Sequence, residues 1–234
     1  MIFISARSET RAKVSALQLG GDDYVVKPFD ALELCARVET VLRRRDAESA
    51  SPTTMLPSST AIDRAVNERL SRGAPFTLCY LDLDNLKAFN DYYGYAKADG
   101  VVHQTGDLLR AVMKDQGGPD DFLGHIAGDD FVFITTPERA ETLGKSITTA
   151  FDRIIPLYYN REDRERGYIE TDDRYGEKRK FPIMSVSVVA VTDHGGRFTS
   201  HSDIASVAAQ WKKRAKAIAG SVFLHDDGSE RATA

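Results

Sequence analysis

The chain has 234 residues, of which 42% are hydrophobic and 28% charged, with a formal net charge of −4; that is ordinary globular composition, enough for one full domain and part of another. The mild acidity argues against nucleic acid, which favours a concentrated basic face, and no apolar run approaches the roughly 18–20 residues that span a bilayer. Cys35 and Cys79 form neither a disulfide framework nor a zinc-type cluster, so the expectation is a cytoplasmic protein with no nucleic-acid and no membrane partner.

In chain order, residues 2–4 read as an apolar strand, and residues 9–19 as a helix with Val14 and Leu17 on one face, ended by Gly20-Gly21. Residues 24–26 are a second short strand, and Pro28 breaks the chain after Lys27. Asp30 then caps a helix whose apolar stripe is Leu34, Val38, Val41 and Leu42. The run Arg43-Arg44-Arg45 at its end complements the helix dipole and reads as a solvated face. A first segment, 1–45, is followed by a Ser/Thr/Pro-rich linker over 46–59.

From 60 to 225 helices and strands alternate. Helices are expected near 61–71, 99–114, 140–154 and 203–216, and strands near 76–82, 184–191 and 222–224. A hairpin turns at Gly128. The charged, tyrosine-rich stretch 156–182 contains Asp172-Asp173-Arg174-Tyr175-Gly176, read as the turn of an inserted, solvated hairpin. The tail 226–234 is expected to be disordered.

Two places carry the chemistry. Ile126-Ala127-Gly128-Asp129-Asp130-Phe131 sets adjacent carboxylates at a tight turn between apolar flanks, and the strand ending in Asp82-Leu83-Asp84 brings a second acidic end. Two acidic strand ends suggest a site where a divalent cation meets a nucleotide phosphate. The plainer reading of Asp129 is an exposed turn aspartate. The histidines follow no ligand spacing; His125, beside the hairpin, is as well explained by packing as by function.

The first segment resembles the C-terminal half of a response-regulator receiver domain, through Phe3-Ile4-Ser5-Ala6, Leu19-Gly20-Gly21-Asp22-Asp23-Tyr24 and Val26-Lys27-Pro28-Phe29. The resemblance implies that Ser5 and Lys27 face a phosphorylated aspartate, that the Lys-Pro bond is cis, and that an upstream histidine kinase addresses an intact receiver. The acidic pocket and phosphoacceptor would precede Met1, so the chain as it stands is expected to be a truncated receiver that takes no phosphate.

Leu56-Pro57, Asp82-Leu83-Asp84-Asn85-Leu86-Lys87 with Asn90-Asp91-Tyr92-Tyr93-Gly94-Tyr95 and Asp99, then Ala127-Gly128-Asp129-Asp130-Phe131 and Ala215-Lys216, follow one another as four motifs. In that order they resemble the GGDEF domain, whose members condense two GTP molecules into cyclic di-GMP and pyrophosphate. The resemblance implies an α/β (α+β) nucleotidyl-cyclase-like domain, 60–225, with a central mainly antiparallel sheet flanked by helices, preceded by a partial doubly wound segment. It implies Asp82 and Asp129 as catalytic carboxylates and, with the Leu83 carbonyl, as ligands of Mg²⁺ or Mn²⁺. Asn90 and Asp99 read guanine, although Asp99 can also be explained as a helix N-cap. Lys87, Lys216 and the backbone at Asn85 and Leu86 hold phosphates, and Gly128 is a further substrate-binding residue; a solvated basic face with Lys212, Lys213 and Arg214 is the other account of Lys216. Catalysis then needs a homodimer, with one GTP per subunit.

Four departures from the family pattern stand out. Ala127 replaces the first signature glycine, at a cost of roughly 1–2 kcal/mol if that position is left-handed. Asp130 replaces a glutamate. Gly118-Pro119-Asp120-Asp121 lacks the arginine of the product-inhibition motif, and Ala219-Gly220-Ser221 lacks one that usually follows the last-helix lysine. The expected function is a diguanylate cyclase acting as a response-regulator output. The alternative is a catalytically silent module that senses GTP or docks a protein partner.

Overall fold

The computed structural model describes residues 1–48, 50–172 and 177–228. They fall into two units, Met1–Ser49 and Ala50–Ala234. Among the described residues no helix is long and apolar enough to cross a membrane.

The first unit runs β1 (Ile2–Ser5), α1 (Thr10–Gln18), β2 (Asp23–Val26) and α2 (Ala31–Glu48). β1 and β2 pair in parallel, with Ile2 opposite Asp23 and Ser5 opposite Val26. Asp30 caps α2, its carboxylate accepting from the Leu32 amide at 2.7 Å, and the Lys27–Pro28 peptide is cis. The expected apolar face of α1 is not buried: Val14 and Leu17 are each 46% exposed. Among the described residues the buried apolar side chains of this unit are Ala16, Val25 and Val41. Two strands and two helices offer too little facing surface to cover more. The side chains of Leu42 and Arg43–Arg45 lie outside the described residues.

The segment expected to be a linker is built differently. α2 continues to Glu48, and residues 50–57 form a tight loop on the second unit, with Ser51, Thr54 and Leu56 buried. Ala50 bridges to Pro57, the Ser51 amide donates to the Leu56 carbonyl at 2.8 Å, and Met55 takes φ +55°. A Ser/Thr-rich stretch reads as solvated chain only until its hydroxyls find buried partners, as they do here.

The second unit runs α3 (Ser59–Arg72), β3 (Phe76–Asp84), α4 (Leu86–Tyr93), α5 (Tyr95–Gln116), β4 (Phe122–Ala127), β5 (Asp130–Thr135) and α6 (Pro137–Ile154). After a short 3₁₀ turn come α7 (Arg161–Arg166), β6 (Tyr168–Asp172), β7 (Lys178–Pro182), β8 (Ser185–Asp193), α8 (His201–Ala215) and β9 (Val222–Asp226). Five strands form one sheet in the order β4-β5-β3-β8-β9, antiparallel except for the β8–β9 pair. β3 is central and covered on both faces, which is why it reads as an unbroken apolar run.

The two-residue period of the strands sorts the core. Cys79, Leu81, Phe131, Phe133, Val186 and Val188 pack in one cluster with α4, α5 and α6 side chains such as Phe89, Leu109 and Leu143. Leu78, Tyr80, Val132, Ile134, Val189 and Val191 pack in the other, with Ile62 and Val66 of α3 and Ile204 and Ala208 of α8. Asp82 and Asp84 share the period of Leu78 and Tyr80, so they emerge at the sheet end on the α8 side.

β6 and β7 form the expected inserted hairpin, and its turn, 173–176, lies outside the described residues. It is more than a solvated excursion: Ile169 is buried, and Asp163 before it is 2% exposed. Asp163 accepts from Arg166 at 2.5 Å and from the Tyr93 hydroxyl of α4. The expected tail also starts too early, because Asp226 closes β9, 4% exposed and paired with Arg197 at 2.8 Å. Residues 229–234 lie outside the described residues.

Candidate functional site

The site sits where β3 and the β4–β5 hairpin end side by side. Asn85 adopts φ +67°, turning the chain sharply from β3 into α4. In the hairpin the left-handed residue is Gly128, at φ +54°, while Ala127 is the last residue of β4 and has no positive φ. The strain expected at Ala127 therefore does not arise: the glycine falls where the turn needs it. The Leu83 amide donates to the Asp129 carbonyl at 3.1 Å, fastening the turn to β3. Asp130 lies directly opposite Asp82 in the β3–β5 register.

Four carboxylates and two ammonium groups meet here. Lys216 Nζ lies 3.1 Å from Asp82 Oδ1. Lys212 Nζ lies 2.6 Å from Asp130 Oδ1 and 3.7 Å from Asp82 Oδ2. The pair is spaced i, i+4, so both side chains project from one face at the end of α8. Asp84 accepts from the Ser187 hydroxyl at 2.7 Å and from Ser185 at 3.3 Å. Burial raises the Asp129 carboxyl above its ordinary pKa, and the charges of Asp82 and Asp130 push the same way. Asp84 is raised for like reasons, by burial and by the Asp82 charge. Burial alone would lower the Lys216 ammonium, but the Asp82 hydrogen bond and the surrounding carboxylates outweigh it, so its pKa is raised.

Two cavities share this rim. One, of about 440 Å³, is lined by Asn90 and Asp99 with Lys87, Tyr95, Gly128 and Asp129. The other, of about 400 Å³, is lined by Asp82, Leu83, Asn85, Lys87, Asp129 and Lys216. Leu86, Lys87 and Asp129 belong to both. In the first, Asn90 Oδ1 is buried without a hydrogen-bond partner, an acceptor that asks for a donor. Asp99 Oδ1 receives the Thr53 hydroxyl at 3.3 Å. Capping does not explain Asp99, since α5 begins at Tyr95 with Gly94 as its N-cap and Asp99 lies in the second turn.

The residues singled out from the sequence — Asp82, Leu83, Asn85, Leu86, Lys87, Asn90, Asp99, Gly128, Asp129 and Lys216 — thus line two adjoining cavities. Sequence reasoning left Lys212 on a solvated face, gave Asp84 no role of its own, and missed Thr53. The i, i+4 spacing of Lys212 and Lys216 was a usable signal for the first; the partners of the other two are distant in sequence. Among the described residues no three acidic, histidine or cysteine side chains are grouped to hold a metal by themselves. Two carboxylates and a carbonyl nevertheless fit Mg²⁺ or Mn²⁺, which take few protein oxygens and fill the remainder with phosphate and water.

The geometry defines an α/β domain with an acidic, lysine-edged cleft beside a pocket of polar acceptors. Residues 52–166 match the sequence model of the family described as "Diguanylate cyclase, GGDEF domain". The GGDEF domain of DgcB from Caulobacter crescentus, solved in complex with c-di-GMP, is similar at 19% identity and a TM-score of 0.55, over 76% of this chain and 95% of that one. Diguanylate cyclase SiaD from Pseudomonas aeruginosa, solved with its activator SiaC, is similar at 18% identity and a TM-score of 0.57, over 92% of this chain and 76% of that one. The transcriptional regulatory protein PcoR of Escherichia coli is 47% identical over 55 residues, which is 24% of each chain. The chain spans about a quarter of the length of response regulators such as this, and the likeness falls on its N-terminal part. Residues 52–166 thus carry the likeness of a GGDEF domain, and the N-terminal likeness to response regulators supports a receiver segment in the first unit.

Proposed function

We propose that the chain is a diguanylate cyclase, condensing two GTP molecules into cyclic di-GMP and pyrophosphate as the output of a response regulator. The observation that carries this is Asp129, which forms a wall of both cavities, one holding the guanine-type acceptors Asn90 and Asp99 and the other holding Asp82 and Lys216. A GTP whose base lies in the first and whose phosphates reach the second passes this carboxylate.

Asn90 and Asp99 accept from the ring N–H and exocyclic amine of guanine, filling the orphaned Asn90 oxygen. Lys87, Lys216 and the backbone at Asn85 and Leu86 receive phosphate charge. Asp82, Asp129 and the Leu83 carbonyl would hold Mg²⁺ or Mn²⁺, which supplies charge neutralisation at the phosphates and eases ionisation of the attacking 3′-hydroxyl. Asp129, held half-buried with a raised pKa, is placed to take that hydroxyl's proton. Each subunit supplies one GTP, so two copies must face each other.

The test is incubation with GTP and Mg²⁺ or Mn²⁺, followed by chromatography for cyclic di-GMP. Product is expected from the wild type and none from D129A. GTP binding without product at high protein concentration would instead support the silent sensor. That second reading rests on Ala219 and Gly220, which line the phosphate-side cavity and lie in the stretch where the family pattern has an arginine. Feedback through the motif before the hairpin is not expected, because Gly118 stands where that motif has its arginine, and Asp121 is paired internally with Arg139 at 2.9 Å.

A further inference from the structure

We infer that His125 is a positioning residue for Asp129, and that the hydroxyls of Ser51 and Thr54 set it. The inference rests on the cyclase reading for its catalytic half only.

The hairpin ladder is interrupted just before the turn that carries Asp129. Pairing between β4 and β5 shifts register between His125 and Ala127, leaving Ile126 as an extra residue. Such a bulge disrupts the ladder locally, and beyond it a single pair, Ala127 with Asp130, closes the turn. The His125 ring closes that gap. Its Nε2 lies 3.1 Å from the Gly128 carbonyl, three residues along the same hairpin. On its other side the next carbonyl, that of Asp129, accepts from Leu83 of β3. The peptide bearing the Asp129 side chain is therefore held on both flanks, by one ring and one strand amide.

The ring is itself held tightly. It is 3% exposed and stacks on Phe131 with centroids 4.3 Å apart. Ser51 Oγ lies 2.7 Å and Thr54 Oγ1 3.1 Å from Nδ1. The partners dictate the tautomer. A carbonyl only accepts, so Nε2 carries the proton, and Nδ1 is the acceptor for the hydroxyls, Ser51 foremost. Burial lowers the ring's pKa, in keeping with a neutral imidazole. The His125 amide also donates to the Pro57 carbonyl at 2.8 Å. The loop 50–57 thus grips one residue of the hairpin through backbone and ring together, and a shift of that loop moves the Gly128 carbonyl.

The experiment compares wild type, H125F, H125Q and the S51A/T54A double variant of the full chain. Hydrogen–deuterium exchange is followed in peptides spanning 126–130, and cyclic di-GMP formation with Mn²⁺ and GTP is measured alongside. H125F keeps the stack on Phe131 and loses both nitrogens. Exchange in the hairpin is expected to rise by about 10-fold or more, and kcat to fall by ~10–100-fold with KM for GTP within about threefold, as for other supporting residues behind a reactive carboxylate. H125Q, whose amide N–H can reach the Gly128 carbonyl, is expected to recover part of both. A long-range ¹H–¹⁵N spectrum is expected to show His125 protonated at Nε2.

Unchanged hairpin exchange in H125F, or the opposite tautomer, overturns the proposal. So does faster exchange with unchanged kcat in an active preparation, which leaves His125 as packing alone. If the wild type makes no cyclic di-GMP the cyclase reading fails, and exchange together with Mn²⁺-dependent GTP binding decides the positioning claim separately. If H125F does not fold, S51A/T54A, which leaves the ring in place, must loosen the hairpin for the proposal to stand.

Discussion

The two units differ in what their apolar residues face. In the second, a five-stranded sheet is covered on both sides, and Leu143, Phe131 and Phe133 are fully buried. In the first, a two-stranded sheet leaves Leu17 46%, Leu19 79% and Leu32 81% exposed. Both are recognisable from short motifs, yet only one surrounds its motif with a core. A motif therefore identifies a kind of fold without showing that the fold supports itself. Support depends on how much apolar surface the elements turn toward one another, and the fraction of surface a unit buries rises with its size.

The sharpest way to break this comparison is to separate the units. Residues 50–234 are expected to unfold in a single cooperative urea transition followed by circular dichroism. Residues 1–49 alone are expected to show no cooperative transition, lying near the roughly 40-residue floor below which chains seldom fold unaided. A cooperative transition in the short fragment would show that its few buried side chains suffice.

Single substitutions probe the same contrast on a smaller scale. L143A empties a fully buried position on α6 and is expected to cost about 2–5 kcal/mol. L17A, on α1, is expected to change stability by under about 0.5 kcal/mol, as exposed sites do. Equal effects would mean that Leu17 is covered in solution. G144A comes next. A methyl on Gly144 would meet the Phe223 ring at 2.1 Å, so about 1–3 kcal/mol of destabilisation is expected from overpacking between α6 and β9. A neutral result would show that Phe223 can swing aside.

Much of the second unit was legible because its physics is local. Strands rich in β-branched residues such as β8, helices with capped ends such as α8, and acidic residues at strand ends all announce themselves within a few residues. Asp82 and Asp129 stand out in that way, whereas Asn90 and Asp99 were singled out only by the family motifs they match. What was not legible depends on partners far along the chain. Ser51 and Thr54 looked like linker because their partner, His125, lies more than seventy residues away. A cap remained a second account of Asp99 because the start of α5 hides behind Gly94, whose positive φ lets α4 and α5 follow with hardly a break. In the first unit the spacing of Val14 and Leu17 indicated a helical face correctly, but spacing cannot say whether anything covers that face.

The smallest effect expected is one that only the second unit can show, because the first contains no histidine. Burial holds the His125 pKa below its ordinary value. As pH falls below about 6.5, the unfolded chain takes up a proton that the folded one refuses. The stability tied to this group is present above about pH 6.5 and is lost as pH falls toward the folded value, by at most about 1.4 kcal/mol per pH unit. Asp129 and Asp84 act in the opposite sense. Their folded pKa values are raised, so their contribution is present below the unfolded carboxyl value and is lost as pH rises through the folded one. Acidification therefore mixes a loss from the histidine with a gain from the carboxyls, and the wild type alone cannot separate them. The difference in unfolding free energy between wild type and H125F isolates the histidine, because both proteins carry the same carboxyls. That difference is expected to shrink as pH is lowered from 7 to 5; if it stays constant, His125 titrates alike in the folded and unfolded chains and its burial carries no proton linkage.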